Sequence, residues 1–217
     1  MSVGQAVLNL LFPPKCPFCG HVTSNPGICS SCQTILPWTE EAYQVQMLPG
    51  GTPCASPLWY EGPVRQGLLR FKFSGASGAA ETLGGLIAEC AAERFSGEFD
   101  TVSWGPVSAK RLRKRGFDQA ELLARSACRA WETRPEALLH RTADNPAQSS
   151  LAGGAAERRA NVLGIYEPVD STRIAARRIL LVDDIVTTGA TLCECARTLR
   201  EAGAAAVLCI TAARTRP

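Results

Sequence analysis

The 217-residue chain is short of several things, and each shortage narrows the field. No apolar run reaches the roughly 18–20 residues that a membrane helix needs, so no membrane-spanning helix is expected. The first residues, MSVGQAVLNLLFPP, are apolar but carry no basic flank and no small-residue cleavage site, so they are read as a short helix of the protein, not an export signal. Aromatics are only 6% of the chain, and none interleave with basic residues, so no stacking platform for single-stranded nucleic acid is evident. Histidine is nearly absent, with His21 and His140 alone, and a lone His is more often structural than catalytic. No G-x-x-x-x-G-K-[ST] sequence occurs, which removes the nucleotide P-loop. Net charge is only +3, too mild for a general polycation.

Lysine is scarce too: of 23 basic residues only four are Lys, and the rest are Arg. Arg grips phosphate and carboxylate in a two-pronged way that Lys cannot, although the same bias follows from GC-rich coding. The positive charge is local. Lys110, Arg111, Arg113, Lys114 and Arg115 place five positives within six residues. Alone, such a run reads as a solvated face or an unspecific anion patch. Here it lies between a strand end and a helix start, with Gly116 to turn the chain, where a diphosphate would need cations.

Cysteine, by contrast, is abundant. In a chain without an export signal, ten cysteines point to a reducing cytoplasm and to metal before disulfides. Cys16, Cys19, Cys29 and Cys32 form C-x2-C-x9-C-x2-C, two knuckles whose sulfurs can share one tetrahedral zinc. Four sulfurs close the coordination shell, so the zinc is expected to be structural. His21 beside them is not needed as a ligand. Cys54, Cys90, Cys128, Cys193, Cys195 and Cys209 are scattered among apolar neighbours and read as core residues.

The organisation follows. Residues 1–57 are expected to hold the N-terminal helix, the cysteine ribbon and an irregular Pro/Gly-rich connector over 34–57. Residues 58–217 are expected to form a second unit with its own core. From residue 100 strand and helix patterns alternate: a strand at 101–107, an amphipathic helix at 117–131, a buried strand at 179–182 ending at Asp183, a helix with Leu192, Cys195, Ala196 and Leu199 on its apolar face, and a last strand at 205–211. This predicts an α/β fold with a mostly parallel sheet flanked by helices. Residues 142–157 read as a long polar loop, of a length more often functional than idle.

The segment Val182-Asp-Asp-Ile-Val-Thr-Thr-Gly-Ala-Thr191 is the most informative. It leaves a buried strand and opens a helix, where α/β sheets bind ligands. Backbone N–H groups of Thr187, Thr188, Gly189, Ala190 and Thr191 can close round a phosphate at a helix N-terminus. Asp183 and Asp184 suit a sugar diol, or the indirect holding of a magnesium ion; the alternative is a helix cap.

That segment resembles the motif by which type I phosphoribosyltransferases bind 5-phosphoribosyl-1-pyrophosphate (PRPP). Taken with the cysteine quartet, Tyr60-Glu61-Gly62, the helix ending Phe71-Lys72-Phe73, the run Arg113 to Gln119 and the stretch Gln148 to Asn161, the chain resembles the ComF family, a zinc ribbon joined to a phosphoribosyltransferase-like domain. Asp118 stands where that family usually has Asn. The resemblance implies that Asp183 and Asp184 hold the ribose, that Thr187 to Thr191 hold the 5′-phosphate, and that Lys110, Arg111, Arg113 and Arg115 meet the pyrophosphate. It also implies magnesium beside PRPP, and residues 141–161 as a hood over the site. Two functions remain open: transfer of phosphoribosyl to an acceptor with release of pyrophosphate, or a non-catalytic PRPP-binding accessory of DNA uptake that meets single-stranded DNA or a helicase partner.

Overall fold

The computed structural model describes residues 13–74, 77–142 and 163–217. The expected N-terminal helix and almost all of the expected hood lie outside these residues. The first described segment is the cysteine knuckle, followed by helix α1 (Ser30–Ile35), a short helix α2 (Glu41–Gln44) and strands β1 (Val45–Leu48), β2 (Thr52–Ala55) and β3 (Leu58–Trp59). Then come helices α3 (Gly62–Ser74) and α4 (Ser77–Arg94), strand β4 (Thr101–Trp104), and helices α5 (Ala109–Arg115) and α6 (Gln119–Ala130). Strands β5 (Leu139–Arg141) and β6 (Tyr166–Pro168), strand β7 (Arg178–Val186), helix α7 (Ala190–Glu201) and strand β8 (Ala206–Arg214) complete the order.

The main sheet runs β1-β2-β8-β7-β4, with β3 pairing β8 beyond β2. All its pairings are parallel except the β1–β2 hairpin at one edge. Residues 45–55, expected as irregular connector, therefore belong to the sheet. Cys54 and Ala55 pair in parallel with Cys209 and Ile210 of β8, which no local pattern in a Pro/Gly-rich stretch announces.

The central strands bury both faces, which explains their unbroken apolar sequence. Leu180, Val182, Leu208 and Ile210 pack with α3, α4 and α6, whereas Ile179, Leu181, Val207 and Cys209 pack with Leu192, Cys195 and Leu199 of α7. Successive residues of one strand serve opposite layers because the side-chain period is two.

The expectation of separate cores does not hold. Cys16, Phe18, Cys32 and Leu36 lie in the same hydrophobic cluster as Leu58, Val64, Leu68 and Phe71. Arg70 of α3 donates from Nη2 to the carbonyls of Pro17 and Phe18. A Cβ on Gly67 would stand 2.6 Å from the Pro17 carbonyl oxygen, so only glycine lets the knuckle seat on α3. A segment with too little core of its own has borrowed that of the sheet domain.

Candidate functional site

The knuckle is closed by the backbone. Cys16 N–H donates to His21 O and Gly20 N–H to Cys16 O, both at 2.8 Å, while Lys15 bridges Val22. Cys29 caps α1, which carries Cys32. The four sulfurs lie within 4.8 Å of one another, and Cys19 Sγ is 3.6 Å from Cys29 Sγ. Zinc with bonds of about 2.3 Å would set tetrahedral sulfur separations near 3.8 Å, so the quartet fits one zinc. The donor set also fits, since four crowded thiolates repel unless a divalent cation lies between them. His21 contributes its backbone N–H to Cys19 Sγ at 3.4 Å.

The second site arises where one strand outruns its neighbour. β4 pairs β7 from Thr101↔Ile179 to Trp104↔Val182 and then departs through Gly105, Pro106 and Val107. β7 continues to Val186, held on its other side by β8. Asp183 and Asp184, expected to end the strand, are thus strand residues left bare on the β4 side. They line a cleft of about 160 Å3 at the carboxyl ends of the parallel strands.

The expected basic loop is a helix. Ser108 caps α5 by accepting from Arg111 N–H, and Gly116 ends it at φ +79, a left-handed conformation that suits glycine. Helical spacing puts Arg111 and Arg115 on one face, and both line the cleft, whereas Lys110 and Arg113 lie outside the lining. Of the Thr187–Thr191 segment, Thr191 lines the cleft; Thr187, Thr188 and Gly189 form the bend into α7, and Ala190 is its first residue.

Four further side chains complete it, of which only Arg141, as the first residue of the expected hood, had been placed near the site. Lys72, in the last turn of α3, reaches Asp184 with Nζ 2.9 Å from Oδ2. Arg141 of β5 and Tyr166 of β6 stand together, the guanidinium 5.7 Å from the ring centroid. Gln119 opens α6 and accepts from Nη1 of Arg115 at 2.7 Å. Lys72 and Gln119 sit in the motifs that carried the family resemblance, which was the available signal. Arg141 was the first residue of the expected hood, whereas Tyr166, joined to it by pairing across 25 residues, had no signal. His140, next to Arg141 on β5, is exposed, outside the cleft lining and 3.5 Å from Glu167.

Four cations thus face two carboxylates. Asp183 is pushed up to about 8, first by enclosure in the cleft and then by the charge of Asp184, against the pull of the Asp184 N–H that it accepts at 2.8 Å. Arg111 is lowered, chiefly by the protein crowding it and then by Arg141 and Arg115. Asp118 is the cap of α6: Oδ1 accepts from Ala120 and Glu121, and Oδ2 from Val107, tying the β4 exit loop to the helix. Burial raises its pKa against those three bonds. Beyond the lining, buried Glu194 of α7 accepts from Gly164 N–H at 2.7 Å and pairs with Arg197, which lowers its pKa; it fixes the entry to β6 and hence Tyr166.

Comparison with known proteins adds to this geometry. The pattern of the double zinc ribbon domain matches residues 7–44, and that of the phosphoribosyl transferase domain matches residues 138–216. The described cysteines supply one four-sulfur group. Competence protein F of Haemophilus influenzae is 30% identical over 84% of this chain and 88% of its own. Competence protein ComFC of Bacillus subtilis is 26% identical over 88% of this chain and 73% of its own. The DNA utilization protein YhgH of Escherichia coli is 30% identical over 88% of this chain and 80% of its own. Among described residues, no helix is long and apolar enough to cross a membrane.

Proposed function

Since the chain belongs to the ComF family, with a phosphoribosyltransferase-type domain behind a zinc ribbon, we propose that its cleft binds PRPP. The observation that supports this most is the opposition of charge: Asp183 and Asp184 on the bare end of β7, and Arg111, Arg115 and Arg141 around them. Adjacent carboxylates accept from a sugar diol, while guanidinium groups grip a diphosphate two-pronged. The 5′-phosphate belongs at the turn from Thr187 to Thr191, where α7 presents its N-terminus beside the carboxylates.

Magnesium is part of the same reading. Asp184 is engaged by Lys72, so the acids would hold the ion through ligand hydroxyls or water, and the ion would offset diphosphate charge. The chain's own contribution to transfer is positioning: the carboxylates orient the ribose, and the arginines neutralise charge on the departing pyrophosphate as its bond to ribose C1 breaks and an acceptor nitrogen bonds to C1 in its place. The protein acts in the reducing cytoplasm, where a four-thiolate site keeps its metal.

A second reading rests on the outer face of α5. Lys110, Arg113 and Lys114 are exposed, and they form a strip suited to a polyanion such as single-stranded DNA. Calorimetric titrations with PRPP, ribose 5-phosphate and a single-stranded oligonucleotide separate the readings. The cleft reading expects PRPP to bind more tightly than ribose 5-phosphate, with salt affecting the oligonucleotide most. PRPP no tighter than ribose 5-phosphate would refute the diphosphate seat.

A further inference from the structure

Gln119 is 2% exposed, and its amide points in a direction the structure fixes. Oε1 accepts from Arg115, and a guanidinium only donates, so Nε2 is the atom turned away. Nε2 is buried with no hydrogen-bond partner among the described residues. Gln44, Arg94, Ser103 and Arg214 also hold such an atom, but none of them lines the cleft; Gln119 does. A buried donor left unmade is costly, and a native site keeps one where something else completes it.

Three backbone donors nearby are already used. Asp118 takes the N–H groups of Ala120 and Glu121, and of Val107 across the cleft mouth. An anion therefore finds the first turn of α6 partly occupied by a carboxylate, and the side-chain donor this helix offers is Gln119. Arg115 and Gln119 together make a two-pronged donor, with Arg111 one turn earlier on the same face of α5.

We propose that Gln119 is a ligand-binding residue of the cleft: Oε1 orients Arg115, and Nε2 donates to an oxygen of the bound ligand's diphosphate. This rests on the reading of the cleft as a phosphate-ester site. It assigns that end of the ligand to the α5–α6 turn, leaving Asp183 and Asp184 for the sugar.

Gln119→Met keeps the length of the side chain and removes both polar atoms. Wild type and variant are titrated with inorganic pyrophosphate and with PRPP, and melted without ligand. The expected result is an affinity loss of about ten-fold or more for both ligands, with a ligand-free melting temperature equal to or above wild type because the stranded donor is gone. Gln119→Glu retains an acceptor for Arg115 but cannot donate, and is expected to lose affinity too. Independently, the Gln119 side-chain amide signal of 15N-labelled wild type is expected to move downfield on adding pyrophosphate. Unchanged affinity in Gln119→Met, a loss matched by a lower melting temperature, or a static amide signal overturns the assignment. Wild type that binds pyrophosphate but not PRPP would instead refute the sugar reading, while the Gln119 comparison is still read on pyrophosphate.

Discussion

The knuckle takes its four sulfurs from one short stretch, Cys16 to Cys32, whereas the cleft takes its lining from Lys72 to Thr191. The knuckle is a local object in its chemistry and a non-local one in its packing: Cys16 and Phe18 are 1% exposed against α3. The cleft is the reverse. Its chemistry is assembled from elements spread between α3 and α7, yet the stretch from β4 to α6 is fixed by local devices: an edge that ends at Trp104, a cap at Ser108, a left-handed Gly116, a cap at Asp118. Phe71 and Phe117, with ring centroids 6.2 Å apart, join the two regions, since Phe71 sits in the shared core and precedes Lys72 of the cleft.

The comparison breaks most visibly if the metal is removed. Because the knuckle shares the main core, Cys32→Ser or chelation of zinc is expected to destabilise the whole described fold. Structural zinc carries folding free energy, so a loss on the order of 5 kcal/mol, or roughly 10–20 °C in melting temperature, is expected. Differential scanning calorimetry checks this: one broadened transition at lower temperature is expected, and an unshifted sheet transition would restore the idea of two independent units. Gly67→Ala sharpens the same point without touching sulfur. Its Cβ meets the Pro17 carbonyl, and overpacking of this kind costs about 1–3 kcal/mol. Chemical denaturation is expected to register that loss, while PRPP affinity stays within about three-fold of wild type.

The smallest effect belongs to the cleft alone and is read against pH. Asp183 holds its proton more tightly folded than unfolded, so its contribution to stability is fully present below the ordinary aspartate pKa, ~4. It is lost as pH rises through about 8. Asp183→Asn removes that dependence. Its melting temperature relative to wild type is expected to climb between pH 5 and pH 8, and a constant difference across that range would contradict the enclosed-acid description.

What could be read from the residues follows from the same contrast. Cysteine spacing disclosed the knuckle because its geometry is set within a few residues. The strand at 179–182 and the helix at 117–131 were legible because two-sided burial and helical period leave marks in order along the chain. Asp183 and Asp184 were legible as a motif, although the strand runs on through them, since register with β8 and not local pattern carries it to Val186. Strand β2 was missed because its partners on β8 are more than 150 positions away, and β1 is tied to the sheet through β2. Arg113 and Arg115 looked equivalent in a basic run, and only the helix of α5 divides them. Lys72 entered as part of a motif without a role, because its carboxylate partner lies on β7, more than 100 positions further on.

That division of α5 tests the central claim most directly. Arg115 lines the cleft and is held by Gln119, while Arg113 is exposed beyond it. Titrating PRPP and ribose 5-phosphate into Arg115→Ala and Arg113→Ala compares two like substitutions on one helix. The account predicts that Arg115→Ala loses about 1.5–3 kcal/mol, or roughly 10- to 150-fold, for PRPP and far less for ribose 5-phosphate. It predicts that Arg113→Ala stays within about 1 kcal/mol for both. Equal losses in the two variants, or equal losses for the two ligands in Arg115→Ala, would contradict a diphosphate seat in this cleft.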